Sequence, residues 1–295
     1  MVCSVCIDAL KPNSRNARCN PSVLLKHKSG VNILFDCGKT FRSAVLRVLA
    51  ARDDITAIDA VVLTHAHADA AHGLDDLREW VQGSRELNTL KAIPIFVRDK
   101  DLESIASSFP YLVDASKATG SGHVASLAFH AFDGTAPIDV LGVTIHPLIV
   151  DHGPPCQSVA FRIGDFVYMS DVNAIPPAVW PLLECDGGLE LLILDCTFVK
   201  RTISSHVNFP EALDILRKLK PRKTLFTGLT HEFDYHYFNA LLHANLHRAR
   251  GMIEAGIAEP PEQTVAIQGF DLRVSLPTLD IELPYDTQSI KLHSC

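Results

Sequence analysis

A short apolar run, Ala60-Val61-Val62-Leu63, gives way abruptly to Thr64-His65-Ala66-His67-Ala68-Asp69 and then to Gly73-Leu74-Asp75-Asp76. A buried strand that ends in two histidines and an aspartate has few structural options. In extended or turning backbone, residues at i and i+2 project to the same side. His65, His67 and Asp69 can therefore converge on one point. Imidazole and carboxylate donors converging at neutral pH suit Zn, Mn or Fe. The competing reading is a polar turn that binds nothing. Asp75 and Asp76 either orient ligating histidines from behind or open a helix, where negative charge is favoured.

Three further residues stand in the same setting, at the end of an apolar strand and the start of an irregular loop. His152 follows Ile149-Val150-Asp151 and precedes Gly153-Pro154. Asp171 follows Phe166-Val167-Tyr168-Met169-Ser170, and His231 follows Thr227-Gly228-Leu229-Thr230. Bland alternatives are a turn histidine at 152 and a helix cap at Asp171.

Patterning along the chain supplies the elements. Ser22–Leu25 and Asn32–Phe35 read as a strand pair around a turn at Ser29-Gly30, and Asp36-Cys37-Gly38 ends the second strand. Helices are expected over 41–51, 76–81, 99–107, 210–219 and 237–255. Strands are expected over 61–64, 93–97, 125–129, 143–150, 158–163, 166–170, 191–194, 225–227, 265–267 and 272–274. Pro210 suits a first helical turn. Strands and helices intermix, which favours an α+β arrangement of two mixed sheets between helices over a doubly wound parallel sheet.

The motif and its continuation resemble the first metal motif, T-H-x-H-x-D-H, of the metallo-β-lactamase-fold hydrolases. Gly73-Leu74-Asp75-Asp76-Leu77-Arg78 is similar to the branch that holds the cyclic phosphodiesterase of phosphonate breakdown, with tRNA 3′-processing nucleases as more distant relatives. The resemblance runs from about Cys3 to about Val274 and implies an αββα sandwich. It implies that the chain lacks that family's first strand and glycine-rich opening turn. Residues 1–276 are expected to form the domain and 277–295 a C-terminal tail.

The same resemblance implies roles. His65, His67 and His152 resemble the three histidines of the first metal site, Asp69 the aspartate of the first motif, and Asp171, in Tyr168-Met169-Ser170-Asp171-Val172, the bridging aspartate. A bridging carboxylate holds two cations about 3.5–4 Å apart. His206, in Ser204-Ser205-His206-Val207-Asn208, resembles a histidine that contacts the scissile phosphate and assists the leaving group. Asp69 and His206 are the expected catalytic residues, working with a metal-bound hydroxide.

Departures from the family pattern are as informative. Ala70 stands where a second histidine follows the motif aspartate, with His72 two residues on. Against T-H-x-x-H this chain has Thr227-Gly228-Leu229-Thr230-His231, so Gly228 replaces the usual ligand. Either His231 turns inward to complete a set with Asp69 and Asp171, or the second metal binds weakly or not at all. Cys3-Ser4-Val5-Cys6, with His231 and with Cys19 as the candidate fourth ligand, could instead form a structural zinc site. One or two ions, Zn or Mn, are expected.

Composition narrows the partners. The 295 residues carry a net charge of −7 without a basic block, so no nucleic-acid footprint is expected. No apolar stretch approaches the roughly 20 residues of a membrane span. The N-terminus has no secretion signal pattern, and eight cysteines without regular pairing favour a reducing compartment. A cytoplasmic enzyme with a small-molecule substrate is expected, as a monomer or homodimer. A phosphodiesterase acting on a small, cyclic phosphodiester leads. A mononuclear ester, thioester or lactone hydrolase and a non-catalytic binding module are the alternatives. His243 and His247, at helical spacing, read as a solvated face. Cys156, Cys185 and Cys196 read as buried thiols.

Overall fold

The computed structural model describes residues 3–49, 53–83, 91–119, 124–184, 187–254, 263–267, 270–274 and 280–282. The first half contains α1 (Ser4–Ala9), β1 (Val23–Lys26), β2 (Asn32–Phe35), α2 (Phe41–Arg47), β3 (Ala60–Val62), α3 (Ala68–Ala71), β4 (Ile93–Arg98), α4 (Asp99–Ser108), α5 (Pro110–Val113) and β5 (Leu127–Phe132). The second contains β6 (Ile138–Val140), β7 (Val143–Asp151), β8 (Gln157–Ile163), β9 (Phe166–Met169), α6 (Trp180–Leu183), β10 (Leu191–Asp195), α7 (Phe209–Leu219), β11 (Lys223–Thr227), α8 (Tyr235–Glu254), β12 (Gln263–Ile267), β13 (Phe270–Val274) and β14 (Asp280–Glu282).

The fold is α+β, with two mixed sheets flanked by helices. One sheet has the order β1-β2-β3-β4-β5, and the other β14-β11-β10-β9-β8-β7-β6. A separate hairpin joins β12 to β13. Two compact units account for the chain. One comprises Met1–Arg18, Val150–Ser158 and Gly164–Ser294; the other is built from Cys19–Ile149 and Val159–Ile163.

In the Cys19–Ile149 unit, β1 and β2 form the expected hairpin, antiparallel with Val23 opposite Phe35. Gly30 turns it with φ +91°, a conformation that costs glycine little. β2, β3 and β4 then run parallel. Strands buried on both faces read as unbroken apolar runs, and β2 and β3 are buried at every position. Leu34, Val61, Leu63, Ile95, Val97, Leu74 and Leu77 pack together as the core of this unit. The segment expected as a helix from Asp76 is a 3-10 stretch, Leu74–Trp80, and the helix from Phe41 stops at Arg47, short of 51.

Two glycines let the loop after β2 lie directly on the loop that carries Asp69. The amide of Cys37 donates to the Ala70 carbonyl at 2.7 Å, Lys39 to Ala68 at 3.0 Å, and Gly73 to Cys37 at 2.7 Å. A Cβ on Gly38 would sit 1.8 Å from the Asp69 carbonyl oxygen, and one on Gly73 2.3 Å from the Gly38 oxygen.

In the other unit, β9, β10, β11 and β14 run parallel. α7 begins with a capping box. The Asn208 side chain accepts from the Glu211 amide, the Glu211 carboxylate accepts from the Asn208 amide, and Pro210 occupies the first turn. The inner face of α7 buries Phe209, Leu213 and Leu216. Phe209 meets Phe226, Phe233 and Phe238 at centroid distances of 5.9, 6.4 and 5.9 Å, each such pair adding about 0.5–1.5 kcal/mol beyond burial. Residues 280–282, within the segment expected as a C-terminal tail, pair with β11. They extend the sheet beyond β11, which would otherwise expose an edge there.

Gly38→Ala should lower stability by at least about 3 kcal/mol, since backbone has to move to admit the methyl group. Urea denaturation of the purified variant checks this, and an unchanged midpoint would contradict the close approach.

Candidate metal centre

His65 sits where β3 has just ended, 3% exposed. Its neighbour Thr64 is held by Asp36, which ends β2 with φ +60°. One Asp36 oxygen accepts from both the Thr64 amide and hydroxyl at 2.9 Å. The Thr64 hydroxyl proton is thereby committed to the carboxylate, so its oxygen accepts from His65 Nδ1 at 2.9 Å. That choice places the lone pair of the imidazole on Nε2. His67 packs edge-on to His65 with ring centroids 4.5 Å apart. Donor atoms of His65 lie within 4.8 Å of one on His67 and of one on Asp69. His67 caps the short helix α3, and Asp69 lies in its first turn.

A second donor group gathers in the other unit. His152, Asp171 and His206 each offer an atom within 4.8 Å of the others. His152 and Asp171 are 3% and 4% exposed, with Nε2 to Oδ2 at 3.5 Å. His152 Nδ1 donates to the Ser205 carbonyl at 2.7 Å, and since a carbonyl only accepts, Nε2 again keeps the lone pair. Gly153, at φ +80°, permits this approach, because a Cβ there would lie 2.9 Å from the Ser204 oxygen. Ser158 donates a short hydrogen bond to the Asp171 carbonyl. The bland alternative of a helix cap at Asp171 does not hold, since no helix directly follows it; Asp171 is a buried donor leaving β9.

His206 rests on Asp195, the last residue of β10. Its Nδ1 lies 2.8 Å from Asp195 Oδ2, and its ring meets His152 edge-on at 4.9 Å. Asp195 is fully buried and also accepts from the Val172 amide and the Thr197 hydroxyl. Burial pushes the Asp195 carboxyl above its usual range, although His206 and the Val172 amide pull the other way.

His231 does not join this group. It lies with Cys3 and Cys6, all three offering atoms within 4.8 Å of one another. Cys6 Sγ is 3.4 Å from His231 Nδ1. The Thr230 amide and hydroxyl both donate to the Thr197 carbonyl, which fixes the direction of the turn. Gly228 explains the departure from the family pattern. It has φ +70°, where a side chain is strained, and a Cβ would lie 3.0 Å from Asp195 Oδ1, so a histidine at 228 would press on Asp195. The Cys3 thiol is drawn down to about 7, chiefly by the Cys6 backbone N–H, while partial burial pushes Cys6 up. Cys19 instead accepts from Arg47 at 3.8 Å.

Asp36 and Asp195 were not singled out from the motifs, and Asp75 and Asp76 stand in the first turn of the 3-10 stretch. Asp75 pairs with Arg78 at 3.5 Å at the start of the 3-10 stretch. His72 packs on Phe109, and Ala70 is buried. Cys156 is exposed rather than buried, because it lies in the turn after His152. Cys196 is buried, and burial pushes its thiol well up. Cys185 and the side chain of His247 lie outside the described residues; His243 is exposed.

Comparison with known proteins identifies the family and agrees with the fold. The model of the beta-lactamase superfamily domain matches residues 31–229. A diphosphatase of the PhnP family superposes with a TM-score of 0.72, covering 100% of this chain and 92% of that one at 24% identity, which bears on the fold alone. The metallo-beta-lactamase fold protein YhfI from Bacillus subtilis gives 0.57 over 74% of this chain and 82% of its own, at 26% identity. An octanoyltransferase of Porphyromonas gingivalis is 26% identical over 92% of this chain, which spans about half (51%) of that relative.

Thr64→Val removes the hydroxyl between Asp36 and His65 but keeps the shape. Metal affinity, measured by competition with a chromogenic chelator, should fall about 10- to 100-fold. Undiminished affinity would show that this contact does not orient a ligand.

Proposed function

The chain belongs to the beta-lactamase superfamily, and from that footing we propose that it is a metal-dependent hydrolase acting on small phosphodiesters, cyclic ones included. The observation that carries the phosphoryl reading is His206, buttressed by Asp195 beside His152 and Asp171. In its protonated form, with Nδ1–H on Asp195, the His206 imidazolium presents Nε2–H to a leaving oxygen.

The residues suit a divalent cation. Both His65 and His152 commit Nδ1 to a protein acceptor, at Thr64 and Ser205, and so offer Nε2. In this reading His65, His67, His152, Asp69 and Asp171 hold one or two Zn or Mn ions. When bound, the cation lowers the pKa of a water and steadies charge on the phosphoryl oxygens. Asp69 orients the attacking water and accepts its proton. The water oxygen bonds to phosphorus as the bond to the leaving oxygen breaks. His206 gives its Nε2 proton to that oxygen, while Asp195 keeps the Nδ1–H and the ring in place. Cys3, Cys6 and His231 form a separate, structural zinc site.

A mononuclear ester, thioester or lactone hydrolase is the second reading. Ala70 and Gly228, standing where second-metal ligands are usual, and the turn of His231 toward the cysteines favour it.

Bound metal should be counted on the purified protein. Bis(p-nitrophenyl) phosphate and nucleoside 2′,3′-cyclic phosphates should then be assayed with Mn or Zn. Turnover is expected, abolished by EDTA and restored by metal. Asp69→Ala and His206→Ala should each lower kcat about 10²- to 10⁴-fold, the usual worth of a proton-transfer group. Lactone or thioester turnover at one active-site metal per chain selects the second reading. Inactivity toward every phosphodiester, or full activity in Asp69→Ala, overturns the first.

A further inference from the structure

The loop after β3 carries one ring that the metal chemistry does not use. His72 follows Asp69 by three residues and caps the C-terminal end of α3. Its amide donates to the Ala68 carbonyl at 3.3 Å, which closes the helical turn. Residues at i and i+3 of such a turn share one face, with Cβ atoms about 5–6 Å apart. His72 therefore stands beside Asp69, and it is exposed. It belongs to none of the donor groups among the described residues.

Its ring turns instead to an aromatic series in the same unit. His72 meets Phe109 edge-on, with centroids 5.2 Å apart and planes at 85°. Phe109 in turn meets Tyr111 at 6.3 Å and 88°. Phe109 sits at the junction of α4 and α5. Its amide donates to the Ile105 carbonyl at 2.8 Å, and its own carbonyl accepts from the Leu112 amide at 3.1 Å. Ile105 and Leu112 belong to the core of this unit, and Phe109 and Tyr111 pack against that core while staying half-buried. On the other side, the Gly73 amide ties the residue after His72 to the Cys37 carbonyl. Both ends of the series are thus anchored.

Fixed planes at right angles make a corner. A third flat ring entering it gains offset stacking on one wall and an edge contact with the other, the two arrangements that aromatic quadrupoles favour. An alkyl group of equal size gains only the buried area. The corner opens beside Asp69, so it lies within reach of a group attached to phosphorus at the metal centre.

We propose that His72, Phe109 and Tyr111 form a subsite for a flat aromatic group, aryl ring or nucleobase, on one ester arm of the substrate. This rests on the phosphodiesterase reading above. His72 acts there as a ring, and neither its lone pair nor its proton is needed.

The test is calorimetric titration of the zinc-loaded protein with phenyl phosphate, thymidine 5′-monophosphate and methyl phosphate. Wild type, His72→Ala, His72→Phe and Phe109→Leu are compared, with thermal melting and metal content as checks on folding and loading. The wild type should bind at least one of the two aromatic esters about fivefold or more tightly than methyl phosphate, the usual worth of one stacked ring. A preference for phenyl phosphate alone selects an aryl arm, and one for thymidine 5′-monophosphate alone a nucleoside arm. His72→Ala and Phe109→Leu should each lower that preference without changing methyl phosphate affinity. His72→Phe should keep it, since the ring is retained. Equal affinities in the wild type, binding of no ester, a preference undiminished in His72→Ala, or its loss in His72→Phe overturns the proposal. Turnover of bis(p-nitrophenyl) phosphate is read separately. Ring-dependent binding without turnover overturns the phosphodiesterase reading alone.

Discussion

Asp36 is a carboxylate with 1% exposure at the end of a strand, and burying a charge there without partners would be strongly unfavourable. The chain meets that constraint locally. Thr64, at the end of the neighbouring strand, gives Asp36 both its amide and its hydroxyl. The Asp36 amide donates to Val62, and Ser22 donates to the Asp36 carbonyl. One buried acid thus joins the ends of β2 and β3 and orients the imidazole that follows. Gly38 and Gly73 complete the arrangement by allowing the loop after Asp36 to lie against the Asp69 carbonyl. The motif histidines owe their direction to this scaffold as much as to their own spacing.

The same device recurs in the other unit. Asp195 ends β10 as Asp36 ends β2, fully buried, and it aims His206 while holding the Val172 amide next to Asp171. A single acid therefore governs two neighbouring functional side chains. It also governs what position 228 can be. With Asp195 Oδ1 3.0 Å from where a Cβ would stand, a side chain at 228 would crowd the carboxylate that holds His206.

Much of this was legible in the sequence, and the parts that were not share a reason. Strict i, i+2 spacing exposed His65, His67 and Asp69, because one strand's periodicity carries all three. His152, Asp171 and His206 were found through strand-end settings and a family resemblance. Asp36 and Asp195 escaped because each is a lone acid whose partner is distant in sequence, 28 residues to Thr64 in one case and 11 to His206 in the other. A signal was present: Asn32–Phe35 and Leu191–Leu194 are apolar-rich runs broken off by an aspartate, the same signature that marked Asp171. The sequence leaves two roles open for His231 because the direction of its turn depends on the Thr197–Thr230 hydrogen bonds, which local pattern does not encode. Residues 280–282 gave too short a run to read as a strand, and pairing with β11 alone decides them.

The proposed function requires that the donors after β3 and those after β7 and β9 serve one cation centre. Crystals grown with zinc and measured at the zinc absorption edge test it most directly. The account predicts an anomalous peak within about 2.0–2.2 Å of imidazole nitrogens from His65, His67 and His152 together. A peak bound by only one of the two donor groups, or found solely at Cys3, Cys6 and His231, would contradict it.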